Sequence, residues 1–118
     1  MTTLTPSISA LHAFSTQLTT TADNLANIQT NNYQAQQVHL VELRQGGVSA
    51  IISRDLTPGP SLPSTFGSPH SNEYQTGSNT DVVQEILNLT ITRRAYQANA
   101  RVLATMDALK GQILDTIE

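Results

Sequence analysis

The side chains that most often carry catalysis or bind metals are scattered in this 118-residue chain. The three histidines lie far apart, without the short spacing typical of a metal site. No serine stands in a Gly-x-Ser-x-Gly motif, and Gly46-Gly47 is not followed by the Lys-Ser/Thr pair of a phosphate-binding loop. Asp23 and Asp81 occur near predicted helix ends, where solvation or capping explains a carboxylate. We therefore expect no catalytic centre, no metal, no cofactor and no small-molecule substrate.

Composition narrows the class of protein further. Charged residues make up 13% and aromatic residues 4%, and six Lys and Arg against nine Asp and Glu give a net charge of −3. So few cations and aromatics predict no binding to nucleic acid. No cysteine is present, which excludes disulfides and thiolate chemistry. No apolar run is long enough for membrane insertion, and residues 1–6 lack the pattern of a cleaved signal peptide, so we expect any export to use another route.

The positions of apolar residues predict a long first helix over residues 4–31. Leucines recur every seven residues, with other apolar residues at the intermediate steps, and this pattern is typical of a coiled-coil seam. Threonines around the seam are mediocre helix formers, so the helix should need a partner. The predicted assembly seam in this helix consists of Leu4, Ile8, Leu11, Leu18 and Leu25.

A polar stripe runs beside the leucines, at Thr20, Asn24, Asn27 and Asn31. Two interpretations are open for it. The stripe is either a solvated helix face or a buried polar ladder that fixes the register of helices between subunits. A buried Asn disfavours slipped packings, because a slip leaves its amide unpaired.

The middle of the chain, residues 33–79, lacks the helical periodicity and contains short apolar runs and prolines instead. Residues 38–44 and 48–54 are short apolar runs around Gln45-Gly46-Gly47, which predicts a β-hairpin. Prolines are frequent in residues 57–79, and this predicts an extended loop, with residues 57–72 as the most mobile part.

The strongest helical pattern covers residues 80–117. Residues 78–81 resemble a capping box, and the acidic Asp81 and Glu85 suit the N-terminal end of a helix. One apolar seam continues along this helix after a small phase shift. The predicted assembly seam here consists of Val82, Ile86, Leu89, Tyr96, Leu103, Met106, Leu109 and Ile113.

These elements predict a mainly α fold. Long N- and C-terminal helices, over residues 1–32 and 80–118, should pair as a coiled coil. A linker, a small β-hairpin and a Pro-rich loop should occupy residues 33–79, and the three segments should form one structural unit.

Two segments resemble the signature motifs of bacterial flagellar basal-body rod proteins, nearest the short proximal-rod members. Residues 22–33 resemble the N-terminal signature, and residues 78–99 resemble the C-terminal one. One departure is Asn32, which stands where the family often has Gly or Pro, and Asn tolerates the positive φ that such a position requires. The matching motif residues are Asn24, Leu25, Ala26, Asn27, Thr30 and Tyr33, followed by Asn79, Asp81, Arg94, Tyr96 and Asn99.

The resemblance implies a structural subunit of the flagellar rod, not an enzyme. In this family the terminal helices assemble into an axial, torque-transmitting structure in the periplasm, and type III export proceeds without a cleaved signal peptide. The implied partners are the chain itself, other rod subunits and the flagellar export apparatus. The resemblance also implies that Arg93-Arg94 contacts an acidic partner in a neighbouring subunit. An alternative is a non-filamentous coiled-coil adaptor or chaperone-like module, which would form a discrete complex at all concentrations.

Overall fold

The computed structural model describes residues 4–63 and 75–117, which fold into two helices flanking a small antiparallel sheet. This mainly helical architecture confirms the predicted fold class. The molecule is elongated, with extents of 82 × 25 × 19 Å. In chain order the elements are α1 (Leu4–Ala26), β1 (Gln36–Glu42), β2 (Val48–Arg54) and α2 (Val82–Ile117).

Helix α1 lies between α2 and the hairpin. It contacts α2 and both strands, whereas α2 makes no close backbone contact with the strands that the structure describes. The last turn of α1 meets the first turn of α2 through a hydrogen bond between Asn24 and Glu85, and the two helices also pack along their lengths, so they run in opposite directions. Helix α2 has 36 residues against 23 in α1, and every described residue from Asp107 onward is exposed. The C-terminal part of α2 therefore projects beyond α1. The coiled-coil character of the pairing stays a prediction.

Helix α1 ends at Ala26, about one turn earlier than its apolar periodicity predicts. Tight turns replace the helical hydrogen bonds after that point, as the Thr30 amide donates to the carbonyl of Asn27 (3.0 Å). The Thr30 hydroxyl also donates to Oδ1 of Asn27 (3.0 Å). Such side-chain bonds compete with the helix, and periodicity does not detect them. Asn32 has a φ of 56°, which confirms the positive φ expected there.

The β-hairpin forms where the sequence predicts it, although β1 begins and ends two residues earlier than expected. Val38 pairs with Ile52 and Leu40 with Ala50. Gly46 and Gly47 close the turn with φ values of 83° and 102°, a conformation that favours glycine. On one face of the hairpin Gln36, Val38, Val48 and Ala50 are half-buried, whereas Leu40 and Ile52 on that face, and all strand residues of the opposite face, are exposed. The hairpin thus packs one face on α1.

The hairpin turn is attached to the start of α1 through Ser9. Its hydroxyl donates to the carbonyl of Pro6 (2.8 Å) and accepts from the amide of Val48 (3.1 Å). A Cβ at Gly47 would overlap the Ser9 hydroxyl, whereas a Cβ at Gly46 would meet no atom within 4 Å.

We therefore expect Gly47→Ala to destabilise the subunit by about 2–3 kcal/mol, from backbone strain and overlap together. The control is Gly46→Ala, which carries a similar φ penalty without the overlap and should cost about 1 kcal/mol. Urea unfolding of both variants measures the difference. Equal losses would show that Ser9 does not hold the turn against α1.

Backbone hydrogen bonds close the base of the Pro-rich loop, and the predicted mobility of residues 57–72 stays a prediction. The amide of Leu62 donates to Gln75 (2.9 Å), and the amide of Gly77 donates to Pro60 (2.8 Å). The amide of Asn32 donates to the carbonyl of Thr76 (2.7 Å), which ties this base to the end of the α1 turn region. Pro60 and Leu62 are thus joined to residues 75–77 by backbone hydrogen bonds. The rest of the predicted mobile segment lies outside the described residues.

Very little apolar surface is buried in the described part of the chain. The buried apolar residues are Ala13 and Ala35, which are both small. The interior is otherwise polar, and large aliphatic side chains on both helices and on the hairpin stay exposed. The buried polar residues are Thr20, Thr21, Asn24, Glu85 and Thr92.

Candidate functional site

The centre of the subunit is a polar junction formed around the side chain of Asn24. Asn24 has 0% exposure and is the one large side chain in the described residues that is fully buried. Its Nδ2 donates to the carbonyl of Gln36 (2.7 Å) and to Oε1 of Glu85 (2.7 Å). Its Oδ1 accepts from the amide of Gln36 (2.8 Å) and the hydroxyl of Tyr33 (3.1 Å). All four hydrogen-bonding positions of the amide are used, and they join α1, β1 and α2.

Tyr33 supports this junction as a neutral donor. Burial raises the pKa of its hydroxyl above the usual value, and the carboxylates of Asp23 and Glu85 raise that pKa further because they disfavour a phenolate. The hydroxyl therefore keeps its proton at neutral pH and donates a hydrogen bond to Oδ1 of Asn24.

Asn79 fixes the two ends of the hairpin in the same way. Its Oδ1 accepts from the amide of Ala35 (2.6 Å), just before β1. Its Nδ2 donates to the carbonyls of Asp55 (3.0 Å) and Thr57 (2.8 Å), just after β2. A single amide thus holds the chain entering and leaving the hairpin next to the start of α2.

Asp81 caps α2, as its position before the helix predicts. Its Oδ1 accepts from the amides of Val83 (2.9 Å) and Gln84 (3.2 Å). Such a cap satisfies amides that have no partner within the helix. The cap fixes where α2 starts, and this places Glu85 in the first turn, facing Asn24.

A polar groove of about 370 Å³ opens beside the junction, between α1, the start of β1 and the start of α2. Carboxylates and amides dominate its lining, which also includes His39 but, among the described residues, no Lys or Arg. The hydroxyl and backbone amide of Thr57 hold the pKa of Asp55 below its usual value, so this carboxylate stays charged at neutral pH. No cluster of three potential metal ligands occurs within residues 4–63 and 75–117. The lining includes Gln17, Gln37, Asp55, Asn79, Asp81, Gln84, Glu85 and Asn88.

Comparison with protein-family models places both ends of the chain in one family. Residues 6–34 match the model described as flagella basal body rod protein. Residues 71–116 match the model described as flagellar basal body rod FlgEFG protein C-terminal. The chain belongs to the flagellar basal-body rod protein family. It is a structural rod subunit of the basal body, and it associates with other rod components.

No curated protein matches this rod subunit in a sequence search. Within the part of the chain that the structure describes, no helix has the length and apolar character required to cross a membrane.

The structure brings together one part of the rod subunit's motif and leaves the other part separate. Asn24, Tyr33, Asn79 and Asp81 all contribute to the polar junction or its immediate frame. Leu25 is half-buried, Ala26 ends α1, and Asn27 and Thr30 form the turn after it. The remaining motif residues lie further along α2. Among the described residues Asn99 bonds to Ala95 of its own helix (3.0 Å), and Arg94 and Tyr96 are exposed.

The central residues of the polar stripe of α1 are buried inside the rod subunit. Thr20 and Asn24 are buried, Asn27 is half-buried and Asn31 is exposed. Asn24 is thus buried against Gln36 and Glu85 of its own subunit, Asn31 fits the solvated interpretation, and a register role between subunits stays a hypothesis. Spacing alone pointed to Asn24, but nothing in the sequence identified Gln36 as its partner. For Glu85, the sequence indicated a position in the first turn of α2 but not its contact with Asn24.

The predicted seams of the rod subunit are not its most buried stripes. In α1 the deepest positions are Ala13, Thr20, Thr21 and Asn24, and in α2 they are Glu85 and Thr92. Small and polar residues thus occupy the most buried positions, and the apolar seam residues are less buried. The half-buried seam residues are Leu4, Leu11, Leu18, Leu25, Val82, Leu103 and Met106. The exposed ones are Ile8, Ile86, Leu89, Tyr96, Leu109 and Ile113.

Proposed function

We propose that this subunit assembles through the apolar side chains that its helices leave exposed. These side chains would pack against other copies of the chain and against other rod subunits in the axial, torque-transmitting structure. The observation that supports this best is the imbalance in burial. The two buried apolar side chains of the described residues are alanines, while Leu109 and Ile113 are 52% and 61% exposed. Contiguous exposed apolar surface of this kind is typical of a protein interaction site.

The polar junction supports the same proposal from inside the subunit. Hydrogen bonds have strict geometry, so a fully satisfied Asn24 permits one arrangement of α1, α2 and the hairpin. A subunit that transmits torque must present its contact surfaces at fixed angles. Apolar packing of two alanines alone would specify that arrangement poorly.

The role we propose is structural and not enzymatic, with the periplasmic part of the rod as its place. Export would proceed through the flagellar export apparatus, without a cleaved signal peptide. A net charge of −3 and few aromatic residues support protein partners over nucleic acid, anionic membranes or a small-molecule substrate.

The double variant Leu109→Gln, Ile113→Gln tests this proposal. Both side chains lie on the part of α2 that projects beyond α1, so the fold of the subunit should be unchanged. We expect incorporation into purified basal bodies to fall by about tenfold or more, since apolar burial drives association. Circular dichroism checks the fold, and quantitative mass spectrometry of basal bodies measures incorporation.

The matched control is Thr105→Gln, Thr116→Gln, which changes two exposed polar residues of the same helix and should incorporate normally. Normal incorporation of the Leu109, Ile113 variant would contradict the proposed surface. A discrete dimer at every concentration would favour the adaptor alternative.

A further inference from the structure

The polar groove beside the junction is rich in carboxylates. Asp55, Asp81 and Glu85 all line it, and among the described residues its basic lining consists of His39, without Lys or Arg. Glu85 matters most, because it is a carboxylate with only 9% exposure. Glutamate side chains are rarely buried to this extent without a cationic partner.

One oxygen of Glu85 remains available in the groove. Oε1 accepts from Nδ2 of Asn24, which is a neutral donor. Oε2 has no hydrogen-bond partner among the described residues, and no fully shielded polar atom there lacks a partner. Oε2 must therefore be open to the groove that Glu85 lines. A buried carboxylate with a free oxygen at an open groove calls for a charged donor from outside the subunit.

The same chain carries a matching basic surface on α2. Residues 86–106 contain no Asp or Glu, and they include Arg93, Arg94 and Arg101. Arg94 and Arg101 are seven residues apart, so they share one face of the helix. Arg94 lies about 200° around the helix from the buried Thr92, on the side that points away from α1. We call Arg94 and Arg101 the basic face, and both residues are exposed.

We propose that the polar groove binds an arginine of the basic face from a second copy of this chain. This inference rests on the proposed function, because it requires copies that lie side by side. A guanidinium group carries five donors in a planar fork, which matches a groove of carboxylate and amide oxygens. The contact is heterologous, since the groove and the basic face are different surfaces, and such contacts extend into open assemblies.

The distance along the helix predicts how the copies are offset. Glu85 and Arg94 are nine residues apart, which corresponds to about 14 Å along α2. Parallel copies shifted by that amount would place Arg94 of one copy at the groove of the next. Because charge pairs of this kind contribute to specificity, the groove would set the stagger while apolar surfaces supply the affinity.

Disulfide cross-linking tests the contact directly, since the chain contains no cysteine. We would mix full-length Gln84→Cys protein with full-length Arg94→Cys protein under mild oxidation. Gln84 lines the groove, is exposed, and bonds only to Asn88 through its side chain, so its replacement spares the junction. We expect the mixed disulfide to form at least about tenfold faster than with Lys110→Cys, which lies on α2 outside the basic face.

A charge exchange provides the second measurement. Arg94→Glu should weaken self-association by about tenfold in sedimentation velocity, and adding Gln84→Arg should restore it. Arg44→Glu makes the same change in charge at the exposed hairpin turn and should have little effect. Circular dichroism confirms that each variant is folded.

Equal cross-linking at positions 94 and 110, no self-association of the parent chain, or unchanged association of Arg94→Glu would each overturn this inference. The proposed function is judged separately, by incorporation of the Leu109, Ile113 variant into basal bodies. If that variant is excluded while cross-linking shows no preference, the groove contact is wrong and the apolar assembly surface stands.

Discussion

Replacing Asn24 by leucine is expected to lower the free energy of unfolding by about 2–5 kcal/mol. The change removes four hydrogen bonds and leaves the amide and carbonyl of Gln36 and Oε1 of Glu85 without their partner. Each polar group buried without a partner costs about 1–3 kcal/mol, although the half-buried Gln36 recovers part of this from water. A subunit whose buried apolar residues are two alanines has little else to hold the hairpin and helices together.

Two further variants define the origin of this loss. Asn24→Asp keeps the size of the side chain but replaces the donor to Glu85 with a second carboxylate, so it should be about as harmful as leucine. Asn31→Leu is the matched control in the same stripe. Asn31 is exposed and makes one long contact with Gln75 (3.4 Å), so its replacement should stay within about 0.5 kcal/mol. Urea unfolding followed by circular dichroism measures all three. Parent-like stability of Asn24→Leu would refute the structural importance of the junction.

The second large effect concerns the projecting end of α2. We expect the amides of residues 107–117 to exchange with solvent about tenfold or more faster than those of residues 85–103 in dilute subunit. Short helices without tertiary packing are marginal in water, and Gly111 weakens this one further by about 1 kcal/mol relative to alanine. Association should protect these amides and raise the helix content, because neighbours then cover side chains such as Leu114 and Ile117, which are 69% and 77% exposed.

Hydrogen exchange across a dilution series, with mass spectrometry to locate the protected amides, measures this effect. Gly111→Ala is an informative variant, since a Cβ there meets no atom within 4 Å. It should slow exchange in the dilute subunit without requiring a partner. Uniform protection along α2 in a proven monomer would contradict coupling of helix formation to assembly, and it would support the adaptor alternative.

Both expectations arise from an interior in which polar bonds replace apolar burial. Threonines and an asparagine are among the most buried residues of the helices, and the residues of the aliphatic seams are half-buried or exposed. The subunit therefore has a specific arrangement but little apolar burial to stabilise it. Its apolar surface is available to stabilise contacts with its neighbours in an assembly.

The sequence by itself determined the features that depend on local chemistry. The cap at Asp81, the glycine turn of the hairpin, the two long helices and the positive φ of Asn32 all follow from residues within a few positions of each other. Capping, turn formation and helical periodicity act over such short distances that spacing alone predicts them. The two family motifs are likewise contiguous segments, so the order of the residues along the chain is enough to indicate the family.

Only the tertiary structure decided which side chains meet. Asn24 and Glu85 are 61 residues apart in the chain, and no periodicity relates one to the other. Apolar spacing identified the leucine seam as the contact stripe, yet the most buried positions include Ala13, Thr20 and Thr92, because small side chains fit where α1 packs between α2 and the hairpin. The end of α1 at Ala26 has the same kind of cause. Side-chain bonds in the following turn, and the partners that Asn24 finds across the fold, outweigh a periodicity that would carry the helix further.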